Sequence, residues 1–323
     1  MTTSFNDWIE KVWRRVYSGS ADATVQLGLY NSSTNTWSGG ISSSDITFSV
    51  TPPSGSNPST VPTNALRVGA VLSIDLEVMY VTGYNNTSNS VTVVRGYEGS
   101  VAAAHTGGTL VYIQPVYTKF DVGVALNDEL LRLSSPGNGL FKVGVETITY
   151  NPVYMGYDLA GIPTNFIDVM EIRHKIPYPT RNYPSIKKWK VLRSIPDAGV
   201  FPSGAGIVVY ESGYPGMPMY VQYSAPFTTV DPAAWASTSD VAAATGMTAT
   251  MVDIPPLGAE IQLTLPREIR RNFMNSQPDP RKAPEVPAGS ISNSVQALMM
   301  TYNSRISEEA DRLMRQYTRV EGW

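Results

Sequence analysis

The sequence predicts an α+β protein. Its parts are a largely helical body carrying an antiparallel β insert, a small β-module near residues 67–112, and a long C-terminal helix. Three observations lead there. Residues 67–112 place short β-branched and aromatic runs between Gly, Asn and Ser clusters, the pattern of short strands joined by tight turns. Val295, Leu298, Met299, Tyr302, Ile306, Leu313 and Tyr317 recur at helical spacing. Between these stretches, helical runs alternate with segments of strand period.

Taken in order, Phe5, Trp8, Ile9, Val12, Trp13 and Val16 form one face of an amphipathic helix, with Arg14 and Arg15 near the end that favours cations. That helix either packs on its own body or docks as an arm on a neighbouring subunit. Residues 18–63 are rich in Ser, Thr, Asn, Gly and Pro, with short strands at 24–30 and 47–51. They read as an extended or hairpin excursion. In the module, residues 71–74 and 78–81 flank Asp75-Leu76-Glu77. Arg95-Gly96-Tyr97-Glu98-Gly99 is a turn whose glycines can take positive φ.

Beyond the module, Val122, Leu126, Leu130 and Leu133 mark a helix with Asp121 as its N-cap. Residues 140–150, 166–175, 186–194, 207–211 and 219–223 are antiparallel strand candidates. Lys187, Lys188, Lys190 and Arg193 make a basic cluster along one of them, read as a solvated face or subunit ion pair in preference to a nucleic-acid contact. Residues 228–252 hold few apolar anchors and read as a loop. Leu257, Ile261, Leu265 and Ile269 indicate a helix that Pro266 must interrupt or restart. Residues 275–289 form a proline- and charge-rich linker before the last helix. The predicted segments are an N-terminal helix and arm (1–63), the β-module (64–115), an α+β body (116–275) and a linker with the C-terminal helix (276–323).

The chain has 323 residues, enough for one large or two to three modest domains. A net charge of −3 and a pI near 5.5 argue against a dedicated nucleic-acid binder, though not against a lumen past which DNA slides. No cysteine is present, which removes disulfides, thiolate zinc sites and thiol catalysis together. The opening residues lack the apolar core of a signal peptide. No apolar run approaches the roughly 18 residues a membrane span needs, so no membrane insertion is expected.

Catalytic patterns are sparse. Two histidines, His105 and His174, do not make a His-Glu-x-x-His pair, and no Gly-x-Ser-x-Gly elbow or phosphate-cradling loop occurs. Asp75 and Glu77 would share one strand face, as a glycosidase acid and base could. The plainer reading is a turn carboxylate and an ion pair of Glu77 with Arg95. His105, after three alanines, reads as a turn residue that hydrogen-bonds backbone. No catalytic, cofactor-binding or metal residue is therefore assigned, and no enzyme is expected.

The module's IDLEVMYV and VTVVRGYEGSVAAAHTGG resemble a β-module of tailed-bacteriophage virion proteins, with Ser100 where threonine is usual. The likeness rests on Asp75, Glu77, Arg95, Gly96, Gly99 and His105, and implies a structural motif there. The order ALNDELLRL, LFKV with YDLA, a β-insert, LPREIRRN and YNSRISEEADRLMRQY resembles the adaptor proteins of phage head-to-tail connectors.

That second likeness implies a helical adaptor-like body and a twelvefold ring of identical subunits at the tail vertex of the virion. Such a ring would form after synthesis in host cytoplasm, bind the portal protein and tail or neck proteins, and enclose a channel for non-specific passage of genomic DNA. Expected ring or portal contacts are Trp8, Trp13, Leu298, Tyr302, Ile306, Leu313 and Tyr317. The N-terminal arm and the insert at 178–253 depart from a minimal adaptor. They keep open a minor tail or baseplate protein acting in tail assembly or on the host surface.

Overall fold

In the computed structural model, the described residues are 2–17, 25–30, 40–51, 66–85, 87, 90–177, 183–275 and 290–317. The first half of the chain gives α1 (Phe5–Tyr17), β1 (Val25–Tyr30), β2 (Thr47–Thr51), β3 (Val71–Ile74), β4 (Glu77–Asn85), β5 (Ser90–Val94), β6 (Leu110–Ile113) and α2 (Lys119–Leu133). Then come β7 (Lys142–Thr149), β8 (Gly156–Asp158), β9 (Asp168–His174), β10 (Ser185–Ile186), β11 (Trp189–Arg193), β12 (Ala205–Val209) and β13 (Pro218–Ala225). The short α3 (Val241–Thr245), α4 (Ile254–Asn275) and α5 (Ser290–Gln316) complete the chain. The protein is thus an α+β mixture with a C-terminal helix. Its body is sheet-rich, with seven strands (β7–β13) among the described residues where a helical one was expected. No described helix is long and apolar enough to cross a membrane.

The chain divides into two compact units. The first comprises Met1–Glu129, Val230–Asp240 and Pro255–Met299. Its strands close into an antiparallel barrel in the order β1-β2-β5-β4-β3-β6, with β6 returning to pair with β1. The barrel core is Val50, Leu72, Ile74, Met79, Val81, Val91 and Val111, all fully buried. Closure matters because six short strands in an open sheet would leave two edges unpaired. The two strands at 25–30 and 47–51, expected in an extended arm, are therefore barrel staves, and the module begins far upstream of residue 64.

The same unit has a helical layer built on Trp235. Its ring stacks on Phe5 of α1 at 5.5 Å between centroids, lies 5.3 Å from Phe120 of α2, and donates its indole N–H to the Val230 carbonyl at 2.8 Å. Gly123 exists because of it: a Cβ there would stand 2.3 Å from a ring carbon. The stretch 228–252, expected to be a loop with few apolar anchors, thus supplies one of the two buried tryptophans of this layer. α1 buries Phe5, Trp8, Ile9, Val12 and Val16.

Trp8, expected at a subunit interface, is 1 % exposed and belongs to the chain's own core. Trp13 is half-buried between Tyr17 and Tyr112, with the Lys119 ammonium over its ring. α4 is continuous through Pro266; the two prolines at 255 and 256 lie in its first turn, where their missing N–H groups cost least.

The second unit, Leu130–Thr229, Val241–Ile254 and Met300–Trp323, holds two antiparallel sheets, β10-β9-β13-β7 and β11-β12-β8. Leu159, Phe166, Ile172, Ile207, Met219 and Val221 form their common core. The part of α5 in this unit is pinned by charge. Arg305 donates to both Asp253 oxygens (3.0 and 3.2 Å), to Glu308 and to the Thr250 carbonyl, while Glu309 accepts from the Thr250 hydroxyl and forms an ion pair with Arg312.

Tyr302, Ile306 and Leu313 are buried, Tyr302 beneath the Arg132 guanidinium. This corrects their assignment to a free docking face: the stripe at helical spacing is spent on the chain's own fold. Leu298 and Tyr317 are half-buried, and among the described side chains of α5 the large apolar ones most open to solvent are Met300 and Met314.

Candidate functional site

The residues that carry the module's pattern meet at one end of the barrel. β3 and β4 are joined by the two-residue turn Asp75-Leu76, with Ile74 opposite Glu77 as the last pair and Asp75 at φ +50°. Glu77 therefore opens β4 and points inward. Arg95 follows β5, and Gly96 (φ +61°) and Gly99 (φ +85°) turn the chain back, as left-handed backbone requires of residues without a Cβ. Glu98 takes the same left-handed conformation. Ser100 holds this turn: its hydroxyl accepts from the Val78 N–H at 2.9 Å and lies 2.9 Å from the Tyr97 carbonyl.

Glu77 and Arg95 form a bidentate pair, Nε to Oε1 at 2.6 Å and Nη2 to Oε2 at 2.7 Å. The Gly96 and Ala103 N–H groups also donate to the Glu77 carboxylate, at 3.2 and 3.0 Å. Arg95 spends its remaining donors on the carbonyls of Ser42, Asp45 (both 2.8 Å) and Ala103 (2.5 Å), so all five guanidinium N–H groups have acceptors. His105 Nε2 lies 2.9 Å from Glu77, and Nδ1 lies 3.0 Å from Asp75. The backbone of His105 exchanges both hydrogen bonds with Ile41. The Glu77, Arg95 and His105 side chains are 0, 6 and 2 % exposed, whereas Asp75 is 57 % exposed.

Burial pushes the Glu77 carboxyl up, but hydrogen bonds from Arg95, His105 and Ala103 outweigh it and hold it down at about 2. Burial pushes the His105 imidazole down, yet its bonds to Asp75 and Glu77 outweigh that and raise it above 6.5. Two carboxylate partners on one ring require both nitrogens to donate, which is the imidazolium form. Glu77 thus stabilises the fold above its unfolded value near 4.5, a contribution lost as pH falls toward 2. The His105 contribution is complete below 6.5 and is lost as pH rises through the raised folded value. Barrel stability should therefore plateau between 4.5 and 6.5 and fall on both sides. In His105→Gln the alkaline decline should disappear; urea unfolding across pH checks both limbs, and an unchanged alkaline limb would exclude His105 as its source.

The sequence matches no protein-family model and no curated protein.

Chemically, the network is a clasp. It ties the loop after Gly40, the β3–β4 turn, the end of β5 and the segment 96–105 to one carboxylate. Gly40 is part of the fit, since a Cβ there would come within 2.3 Å of the His105 carbonyl oxygen. A glycosidase acid needs a protonated carboxyl facing substrate. Glu77 is ionised, sealed from solvent and already fully bonded, and the Asp75 carboxylate turns to the same imidazole. His105 is correspondingly more than the turn residue expected from sequence: it is the buried cation between two carboxylates. The partners contributed by Ser42, Asp45 and Ala103 are backbone carbonyls, which no residue pattern announces.

Two hollows of the second unit are lined by described residues. One of about 300 Å³ is bounded by Leu159, Phe166, Arg193 and Ser203. Arg193, from the predicted basic cluster, donates to the Phe166 and Ile167 carbonyls and stacks 4.2 Å over the Phe166 ring, so it is a structural cation. Ser203 donates to Asp158 at 2.6 Å, with no histidine bonded to either. The other hollow, about 240 Å³, lies on the outer sheet face between Val145, Arg173, Tyr183, Tyr220 and Gln222. His174 packs against the Tyr214 ring. Among the described residues no cluster of three or more metal-ligating side chains occurs.

Proposed function

We propose that this chain is a structural virion protein of a tailed bacteriophage, the adaptor subunit of a head-to-tail connector. In this reading identical copies form a ring between the portal and the tail proteins, and the ring lines the channel through which the genome passes. The observation that carries it is the clasp. Of the residues on which the likeness to phage virion modules rests, Glu77, Arg95 and His105 form one buried site, the Gly96 N–H and the exposed Asp75 carboxylate bond to it, and Gly99 shapes the adjoining turn. Such a site suits a subunit whose work is to keep its shape under load. The near-neutral net charge of −3 suits a wall that DNA passes without adhering.

Because Trp8, Tyr302, Ile306 and Leu313 serve the chain's own core, ring contacts are reassigned to exposed apolar side chains. The best placed are Met300 and Met314 on α5 and the consecutive Val153, Tyr154 and Met155 between β7 and β8. A second reading, a tail or baseplate protein that touches the host surface, draws on the exposed Tyr154, Tyr183, Tyr210 and Tyr214 of the same unit. Quantitative peptide mass spectrometry on purified, DNA-filled particles tests the proposal. The chain should be present in the same copy number as the portal subunit; its absence from such particles would refute a virion role of either kind.

A further inference from the structure

The four-stranded sheet of the second unit ends at β7, and β7 is an open edge. It pairs with β13 along all eight residues, and no described residue pairs with its other side. Sheets usually guard such an edge with charged side chains, a proline, a bulge or a cover, and of these β7 has only the charges Lys142 and Glu146, both on its inner face. β7, KVGVETIT, has no proline and no shift of register against β13.

Its two faces are distinguished by what lies against them. A Cβ on Gly144 would meet the Tyr223 ring, and the Glu146 carboxylate lies over Gly161, so the even-numbered residues face inward. The outer face is Val143, Val145, Thr147 and Thr149, entirely β-branched and uncharged, with Val145 59 % exposed. Each of these residues favours extended backbone, so the strand is ready-made to take a partner.

The strand also carries a pair of charges without an ionic partner among the described residues. Lys142 and Glu146 lie four residues apart on the inner face. Neither makes a salt bridge with a described residue, and the Lys142 ammonium reaches only the Thr228 hydroxyl, at 3.3 Å. Opposite charges spaced this way are complementary to themselves when the strand is reversed. In antiparallel self-pairing with matched faces, the residues opposite each other have the same parity. A two-fold axis at Glu146 would oppose like charges. An axis at Gly144 places Lys142 of each copy opposite Glu146 of the other, and Val143 opposite Val145, with the two side-chain-free glycines at the centre.

We propose that β7 pairs antiparallel with β7 of a second copy of this chain about a two-fold axis at Gly144. The contact joins the two four-stranded sheets into one and gives both unpaired charges a partner. It is isologous, so it closes as a dimer and does not propagate into a fibre. It rests on the second unit alone and stands apart from the virion reading: a dimer in solution would neither require nor refute a place in the particle.

The natural absence of cysteine makes the register directly readable. Val143→Cys and Val145→Cys, prepared separately in the full chain and mixed under oxidising conditions, should give a mixed disulfide dimer, with little cross-linking of either variant alone. Sedimentation equilibrium should show a wild-type dimer. Lys142→Glu and Glu146→Lys should each weaken that dimer by about tenfold or more, because each turns two cross-strand attractions into repulsions. The double reversal Lys142→Glu/Glu146→Lys should restore it. Thermal melts of the single variants separate lost pairing from lost folding, since a merely structural role for either charge would not be rescued by reversing both. A wild-type chain that stays monomeric to its solubility limit, a dimer indifferent to both single reversals, or self-cross-linking of Val145→Cys alone would overturn the proposal.

Discussion

Glu77→Ala is expected to destabilise the barrel by about 3–5 kcal/mol, the usual cost of removing one partner of a buried ion pair. The substitution leaves the Arg95 guanidinium 6 % exposed with two of its five donors unmatched, and strips an acceptor from His105 and from the Gly96 and Ala103 N–H groups. None of these groups can turn to water without opening the end of the barrel. Asp75→Asn is the natural contrast: that carboxylate is 57 % exposed and bonds only the imidazole edge, so its loss should cost under about 1 kcal/mol.

Because the chain has two compact units, global melting could blur the effect. Hydrogen exchange at the amides of β3 and β4 reads the barrel alone. Exchange in Glu77→Ala as slow as in the wild type would mean that the network contributes no net stability.

Trp235→Ala should cost a similar amount, about 3–5 kcal/mol, for a different reason. Here the loss is packing. The indole fills the space between Phe5, Phe120 and the bare backbone of Gly123, and a cavity bounded by an aromatic pair and a glycine cannot collapse without moving α1 or α2. The smaller change Gly123→Ala presses on the same contact from the other side, with a methyl 2.3 Å from the ring. It should destabilise by about 1–3 kcal/mol through overpacking. Combined with Trp235→Ala it should cost less than the sum, since the methyl then enters the vacated space. Additive effects in that double mutant, measured by urea unfolding, would show that the two positions do not share the cavity described.

Much of the local structure is legible in the sequence because period and turn chemistry are local. The α1 stripe, the helical spacing of α5, the alternation in β7, and the glycines of the 95–99 turn all announce themselves within a few residues. The Glu77–Arg95 pair was readable for the same reason, as two opposite charges on neighbouring short strands. What the sequence conceals is long-range. β1 and β2 sit in low-complexity flanks and become barrel staves only because the remaining strands leave two places to fill. Trp235 lies in a stretch of Ala, Thr and Ser whose neighbours say nothing of burial, and its partners come from residues 5 and 120.

The α5 stripe shows the opposite error. Periodicity establishes that one face is apolar, but not whether its partner is the same chain or another. Arg305 and Glu309, which anchor that helix to Asp253 and Thr250, are the residues that decide it. The helical body was expected from the likeness to connector adaptors, whereas five of its strands were legible as alternating segments; what stayed hidden is that these strands join into two sheets across distant parts of the sequence.

The most direct test of the virion reading is a reconstruction, by electron cryo-microscopy, of the tail vertex of the particle whose genome encodes this chain. A twelvefold ring directly below the portal, with the six-stranded barrel resolvable in each subunit, is the result expected. Density for the chain only at the distal tip, in threefold or sixfold order, would contradict the connector assignment and leave the exposed tyrosines of the second unit as the surface to pursue.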